Sequence, residues 1–106
     1  MSQQSFIDFV VVGMRFREGG VEAKDVLDYD FLRLVPEPDN PHDRGAVRVD
    51  GVAAASGDVA LGYVSRGSCA GLGTRLPPTG GVVKVHTSRL DGPFAVRVIA
   101  QGAFMA

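Results

Sequence analysis

Cysteine is almost absent from this chain: Cys69 is the only one in 106 residues. A lone thiol cannot close an internal disulfide, which points to a reducing compartment. No apolar run approaches the roughly 18 residues that span a bilayer. Met1-Ser2-Gln3-Gln4 carries no basic residue ahead of the first apolar run and no small-residue cleavage site, so a signal peptide is not expected. The expectation is a cytoplasmic protein with no membrane partner. Glycine-rich phosphate cradles are missing too: "GGVEAKD" (19–25) matches neither a P-loop nor a dinucleotide fingerprint. Metal ligands are few. A structural zinc site takes four ligands, usually Cys or His, whereas this chain has one Cys and two His, with His86 far in sequence from Asp39, His42 and Asp43. Ser68-Cys69 falls on a stretch expected to be helical, where a small thiol is ordinarily core filling. Asp39 and Asp43 form a carboxylate pair, but aspartates in a proline-rich turn ordinarily bond the local backbone. The expectation is a chain without catalytic residues, metal or cofactor.

Net charge is also nearly lacking, at -1, which argues against a general nucleic-acid coat. Its distribution is uneven. Residues 1–43 hold four Lys/Arg against nine Asp/Glu, while residues 44–106 hold seven against three. Nine of the eleven basic residues are arginines, the type suited to planar, bidentate contact with phosphate or carboxylate. A local basic site is compatible with a neutral whole.

What the chain has is short alternating segments. Hydrophobic content is 45% and charged content 22%, ordinary for a globular domain and enough to build a core. "SFIDFVVVG" (5–13), rich in β-branched and aromatic residues, reads as a strand. Further strands are expected over Phe31–Val35, Ala46–Val49, Val59–Val64, Gly81–Thr87 and Phe94–Gln101, the last two joined by "SRLDGP" with its Asp91-Gly92 turn signal. Val21–Tyr29 is acidic and suits either a helical turn or the start of a strand. Ser65 is an expected N-cap for a short, glycine-weakened helix to about Leu76. About six short strands and one short helix describe a mainly β chain folded as a small, partly open barrel.

One connection is overfurnished. "LRLVPEPDNPHDRGAVRV" (32–49) places three prolines, two aspartates, an asparagine and a histidine between two alternating apolar runs. A plain connection needs only a short Gly/Asn/Pro turn of about two to five residues. Each proline removes an N–H and restricts its predecessor, so no regular element continues through it. Aromatic and basic residues also fall together at strand ends and turns: Arg15-Phe16-Arg17, His42-Asp43-Arg44, and Tyr63 with Arg66. Single-stranded nucleic acid is held by stacking on aromatic faces and by cations along its backbone. Taken singly, Phe16, Tyr63 and Phe94 would each read as core packing.

The order of these motifs resembles a HIRAN domain, the module found near the N-terminus of helicase-like transcription factor and related fork-remodelling ATPases, and also in small bacterial proteins. The matching residues are "VVGMRF" (11–16), "LVPEPDNPHDRGAVRV" (34–49) and "LGYVSR" (61–66), with a weaker match in "GPFAVRV" (92–98). The resemblance covers nearly the whole chain and implies one domain over residues 1–106, an OB-like β-barrel that binds single-stranded DNA and recognises a 3′ end. On that pattern Arg15 and Phe16 match an Arg-aromatic pair that contacts the strand. Asn40 and Asp43 match polar groups near the terminal sugar. His42 stands where the eukaryotic member has a stacking tyrosine, Tyr63 where it has a histidine, and Phe94 matches a late-strand aromatic. Arg17 replaces a second aromatic, trading stacking for charge, and Arg66 adds a cation beside Tyr63.

An ionised Asp43 accepts hydrogen bonds only, so it suits a free 3′-hydroxyl and repels a 3′-phosphate. The expected partner is single-stranded DNA or a DNA 3′ end, together with a separate helicase, nuclease or ATPase, since no ATPase is part of this sequence. The expected setting is DNA repair or replication-fork processing. The alternative is a protein-interaction module that uses an exposed barrel edge to accept a partner strand.

Overall fold

The computed structural model describes residues 3–13, 22–53, 57–67 and 80–104. Its six strands follow β-branched, alternating sequence: β1 (Gln3–Val12), β2 (Phe31–Pro36), β3 (Val47–Gly51), β4 (Val59–Val64), β5 (Gly81–Leu90) and β6 (Ala95–Phe104). Every pairing is antiparallel, and the sheet closes in the order β1-β4-β3-β2-β5-β6. The barrel is therefore closed rather than partly open. Its seam is short: β1 meets β4 only through Val11↔Val64 and Val12↔Tyr63, whereas it pairs with β6 along its full length. Gly62 makes the seam possible, because a Cβ there would collide with the Val12 carbonyl oxygen.

Alternation fills the barrel. Val96, Val98 and Ala100 of β6 are fully buried, as are Val11, Leu32, Leu34 and Val49, while Arg97 and Ile99 face outward. Val47 and Val49 point inward and Arg48 outward, as the sequence predicts. Register shifts at Val49/Asp50 and Val85/Thr87 break the ladder, and such bulges supply the curvature a small barrel needs. The one helix among the described residues is α1 (Ala23–Val26), within the acidic segment that the sequence left open between helix and strand. Four residues are too few for a helix to stand alone. It is held by an Asp25 carboxylate that accepts the Glu22 N–H at 2.9 Å and by burial of Ala23 and Val26 in the core.

Two boundaries differ from expectation. Ser88, Arg89 and Leu90 continue β5 instead of forming the turn. The turn is Asp91–Phe94, with Gly92 at φ +94°, so Phe94 precedes β6 and is half exposed. The outward face of β5 is polar, which disguised the end of the strand as a loop. Of the stretch from Ser65 to about Leu76, expected to be helical, only residues 65–67 are described.

Candidate nucleic-acid interface

The proline-rich connection between β2 and β3 is a built turn. Its backbone is closed by Glu37 N–H to the Ala46 carbonyl at 2.9 Å, Asn40 N–H to the Glu37 carbonyl at 3.0 Å and Ala46 N–H to the Asp43 carbonyl at 3.1 Å. Side chains complete it. Asn40 Oδ1 accepts from the N–H groups of His42 (2.9 Å) and Asp43 (3.1 Å), an Asx-type closure. Asn40 Nδ2 donates to Glu37 Oε1 at 3.1 Å. Asp43 Oδ1 accepts from the Gly45 N–H at 2.9 Å. Residues Pro38 to Arg44 line an open depression of about 480 Å³ over this turn.

Beneath the turn runs a chain of charged hydrogen bonds rooted in the barrel. Asp50, only 6% exposed, accepts a bidentate contact from Arg48, with Nε to Oδ1 at 2.9 Å and Nη2 to Oδ2 at 3.1 Å. Arg48 Nη1 donates to Glu37 Oε2 at 3.0 Å. The other Glu37 oxygen accepts from the Tyr63 hydroxyl at 2.8 Å as well as from Asn40. Burial pushes the Glu37 carboxyl up, but the hydrogen bonds from Tyr63 and Asn40 and the charge and bond of Arg48 outweigh it, and the group sits below its usual value of 4.5. The hydrogen bond to Asp50, opposed by burial and helped by the charges of Asp50 and Glu37, raises Arg48. One carboxylate thus ties the turn, the outer arginine of β3 and the tyrosine of β4 into a single unit.

Register brings the other candidates alongside. Arg48 pairs with Tyr63, Tyr63 with Val12, and Val12 with Ala95, making one row across β3, β4, β1 and β6. Phe94 immediately precedes that row. A Cβ on Gly13 would lie 3.9 Å from the Tyr63 ring, so β1 leaves the barrel beside the tyrosine. Arg15, Phe16 and Arg17 follow two to four residues after Gly13 but lie outside the described residues. His42 is exposed on the turn. Arg66 is highly exposed, at 83% of its side chain, and its Nε stands 3.7 Å from Asp43 Oδ2. That loose pair leaves the outer Asp43 oxygen within reach of a ligand.

Asn40 holds the turn through both ends of its amide, with Nδ2 making one bond of the two it can donate. The sequence reading missed Glu37, Arg48 and Asp50. The opposite charges of Arg48 and Asp50, two apart in sequence, are the signal that could have found that pair. The bond from Tyr63 to Glu37 spans 26 residues and has no local signal. Among the described residues, no group of three His, Cys, Asp or Glu side chains is arranged to hold a metal ion.

The HIRAN domain family matches residues 4–90. This chain belongs to the HIRAN domain family. HIRAN domains are DNA-binding modules rather than catalysts, and binding to nucleic acid follows from membership. The match ends at Leu90, so β6 and Phe94 lie beyond it. Neither a curated protein nor a solved structure matches the chain.

Proposed function

We propose that this HIRAN domain grips the end of a DNA single strand at the β2–β3 turn, with Asp43 accepting the free 3′-hydroxyl. Tyr63, His42 and Phe94 offer rings to the terminal bases, and Arg66 meets the backbone, together with Arg15, Phe16 and Arg17. The observation that carries this reading is the division of labour within the Asp43 carboxylate. One oxygen is engaged by the Gly45 N–H at 2.9 Å, and among the described residues the other is held only by an exposed arginine at 3.7 Å. A carboxylate fixed in direction and open on one side suits a single hydroxyl donor. The domain works without catalysis, in the cytoplasm, on ends met in DNA repair or fork processing, alongside a separate helicase, nuclease or ATPase. Capture of a partner strand by a barrel edge has less support, since the sheet closes on itself.

Fluorescence anisotropy with matched oligonucleotides tests this. The 3′-hydroxyl form should bind about tenfold more tightly than the 3′-phosphate form, since two like charges about 4 Å apart near a surface repel by roughly 1–4 kcal/mol. Asp43→Asn, which can still accept from Gly45, should bring the two affinities together. Equal affinity of the parent for both ends would remove the end-recognition claim.

A further inference from the structure

We propose that the outer wall formed by β5, β6 and β1 is a second contact surface for single-stranded DNA, taking the length of strand that leads away from the turn. The proposal rests on the reading of the turn as the place where the end is held.

On β1 the residues Val12, Val10, Asp8 and Phe6 face outward, because Val11, Phe9 and Ile7 between them are buried. On β6 the outward series is Ala95, Arg97, Ile99 and Gln101, alternating with buried Val96, Val98 and Ala100. Val12 and Ala95 belong to the Tyr63 row, so this wall begins at the site. It runs six residues to the pair Phe6↔Gln101, about 20 Å at roughly 3.3 Å per residue.

At its far end lies a row of rings and polar groups. Phe6 pairs with Gln101, Gln101 with Lys84, and Lys84 with Phe31, across four neighbouring strands. Phe6 is 54% exposed and Phe31 45%, and the His86 ring meets the edge of Phe6 with centroids 5.1 Å apart. Single exposed apolar residues need no explanation. Rings aligned in one row beside a lysine form a stacking platform.

Between the platform and the turn, Arg97 stands directly across from Arg89. Like charges placed opposite each other on neighbouring strands are unfavourable. Asp8 holds Arg97 at 2.9 Å, while Arg89 makes no ion pair with any described residue. Both line a depression of about 470 Å³ with Asp8, Thr87, Asp91 and Ile99. A backbone phosphate seated there would relieve the opposition of the two arginines. Charge favours DNA over a protein partner: the wall carries Lys84, Arg89 and Arg97 against Asp8 and Asp91, and Asp8 is engaged by Arg97.

The test is anisotropy of the full chain with oligothymidylates of about three and about twelve nucleotides, all with a free 3′-hydroxyl. An end-bound ligand has one register, so extra length adds affinity only through added contacts. The parent should bind the long oligonucleotide about tenfold more tightly than the short one. Phe6→Ala and Arg89→Gln, both at exposed positions, should each remove about fivefold of that gain and leave the short ligand unaffected. Thermal melting checks that both variants fold. If the parent gains nothing from length, or both variants keep the whole gain, the proposal is overturned and the row of rings passes to a protein partner. If the parent binds no oligonucleotide at all, the end-binding reading falls as well, so the two failures are distinguishable.

Discussion

Glu37→Gln removes one charge and leaves the shape of the side chain almost unchanged, yet it should loosen the whole turn. The carboxylate accepts three hydrogen bonds, from Tyr63, Asn40 and Arg48, and donates none. An amide cannot repeat that. If its oxygen turns to Arg48, its NH₂ faces the Asn40 NH₂, and if it turns the other way, its NH₂ faces the guanidinium. At least one donor therefore loses its acceptor in a half-buried place, and the bonds that survive are no longer to a charge. Hydrogen bonds to charged groups contribute about 1.5–3 kcal/mol each, so a net loss of about 2 kcal/mol is expected. For a domain of this length that lowers Tm by about 8 °C.

The loss should depend on pH in a defined direction. The Glu37 carboxyl sits below its usual 4.5 in the folded chain, so the folded state binds this proton less tightly than the unfolded state. Its stabilisation is complete above about pH 4.5 and disappears as pH falls through the folded-state value. Thermal melts of parent and variant should therefore differ most at neutral pH and converge as pH falls below about 4.5. A variant as stable as the parent at pH 7, or a difference that does not shrink at any acid pH at which the parent still folds, would refute the role given to this carboxylate.

Asn40→Ala leaves the His42 and Asp43 N–H groups without their acceptor, and should cost about 1–2 kcal/mol in urea unfolding together with the 3′-hydroxyl preference. Asn40→Asp keeps the acceptor for those two N–H groups but sets a carboxylate oxygen against Glu37 where Nδ2 donated, so it should recover only part of the stability. Gly62→Ala places a methyl group against the Val12 carbonyl oxygen at the β1–β4 seam, and should destabilise by about 1–3 kcal/mol on the same assay. A neutral outcome there would mean that the seam gives way easily.

Much of the barrel was legible because its signals are local. The β-branched alternation of Val59–Val64 gave that strand its observed bounds, and Asp91-Gly92 marked the hairpin turn even though the strands around it ran longer. The outward faces of β5 and β6 alternate Arg89, Thr87, Arg97 and Gln101 with inward residues, and polar outward residues at a strand end look like loop. Closure of the sheet was hidden for another reason. It depends on two residue pairs between β1 and β4, fifty-odd positions apart in sequence, and on Gly62, which in the sequence is one glycine among fourteen. At the site, the turn residues announced themselves by composition. Their part in the turn did not: Asn40 and Asp43 look alike in sequence, and only the hydrogen bonds show that Asn40 closes the turn with both ends of its amide while Asp43 holds Gly45 through one oxygen.

The interior explains why binding must be an exterior matter. Phe9, Leu32, Leu34, Leu61 and valines of four strands occupy the barrel at 0–2% exposure, which leaves no room for a nucleotide inside. A ligand can meet only turns and outward faces, and turns are ordinarily the mobile part of a fold. This one is braced from below. Asp50 is buried in β3 and fixes Arg48, Arg48 fixes Glu37, and Glu37 holds both the turn through Asn40 and the ring of Tyr63 through its hydroxyl. The three prolines limit the backbone between these anchors. A rigid turn loses little entropy when a ligand arrives, and rigidity is what the proposed end recognition needs, because there a hydroxyl and a phosphate would differ only in what one fixed carboxylate oxygen meets. On the proposed reading the buried Asp50 thus matters to binding as much as the exposed His42, although no ligand would touch it.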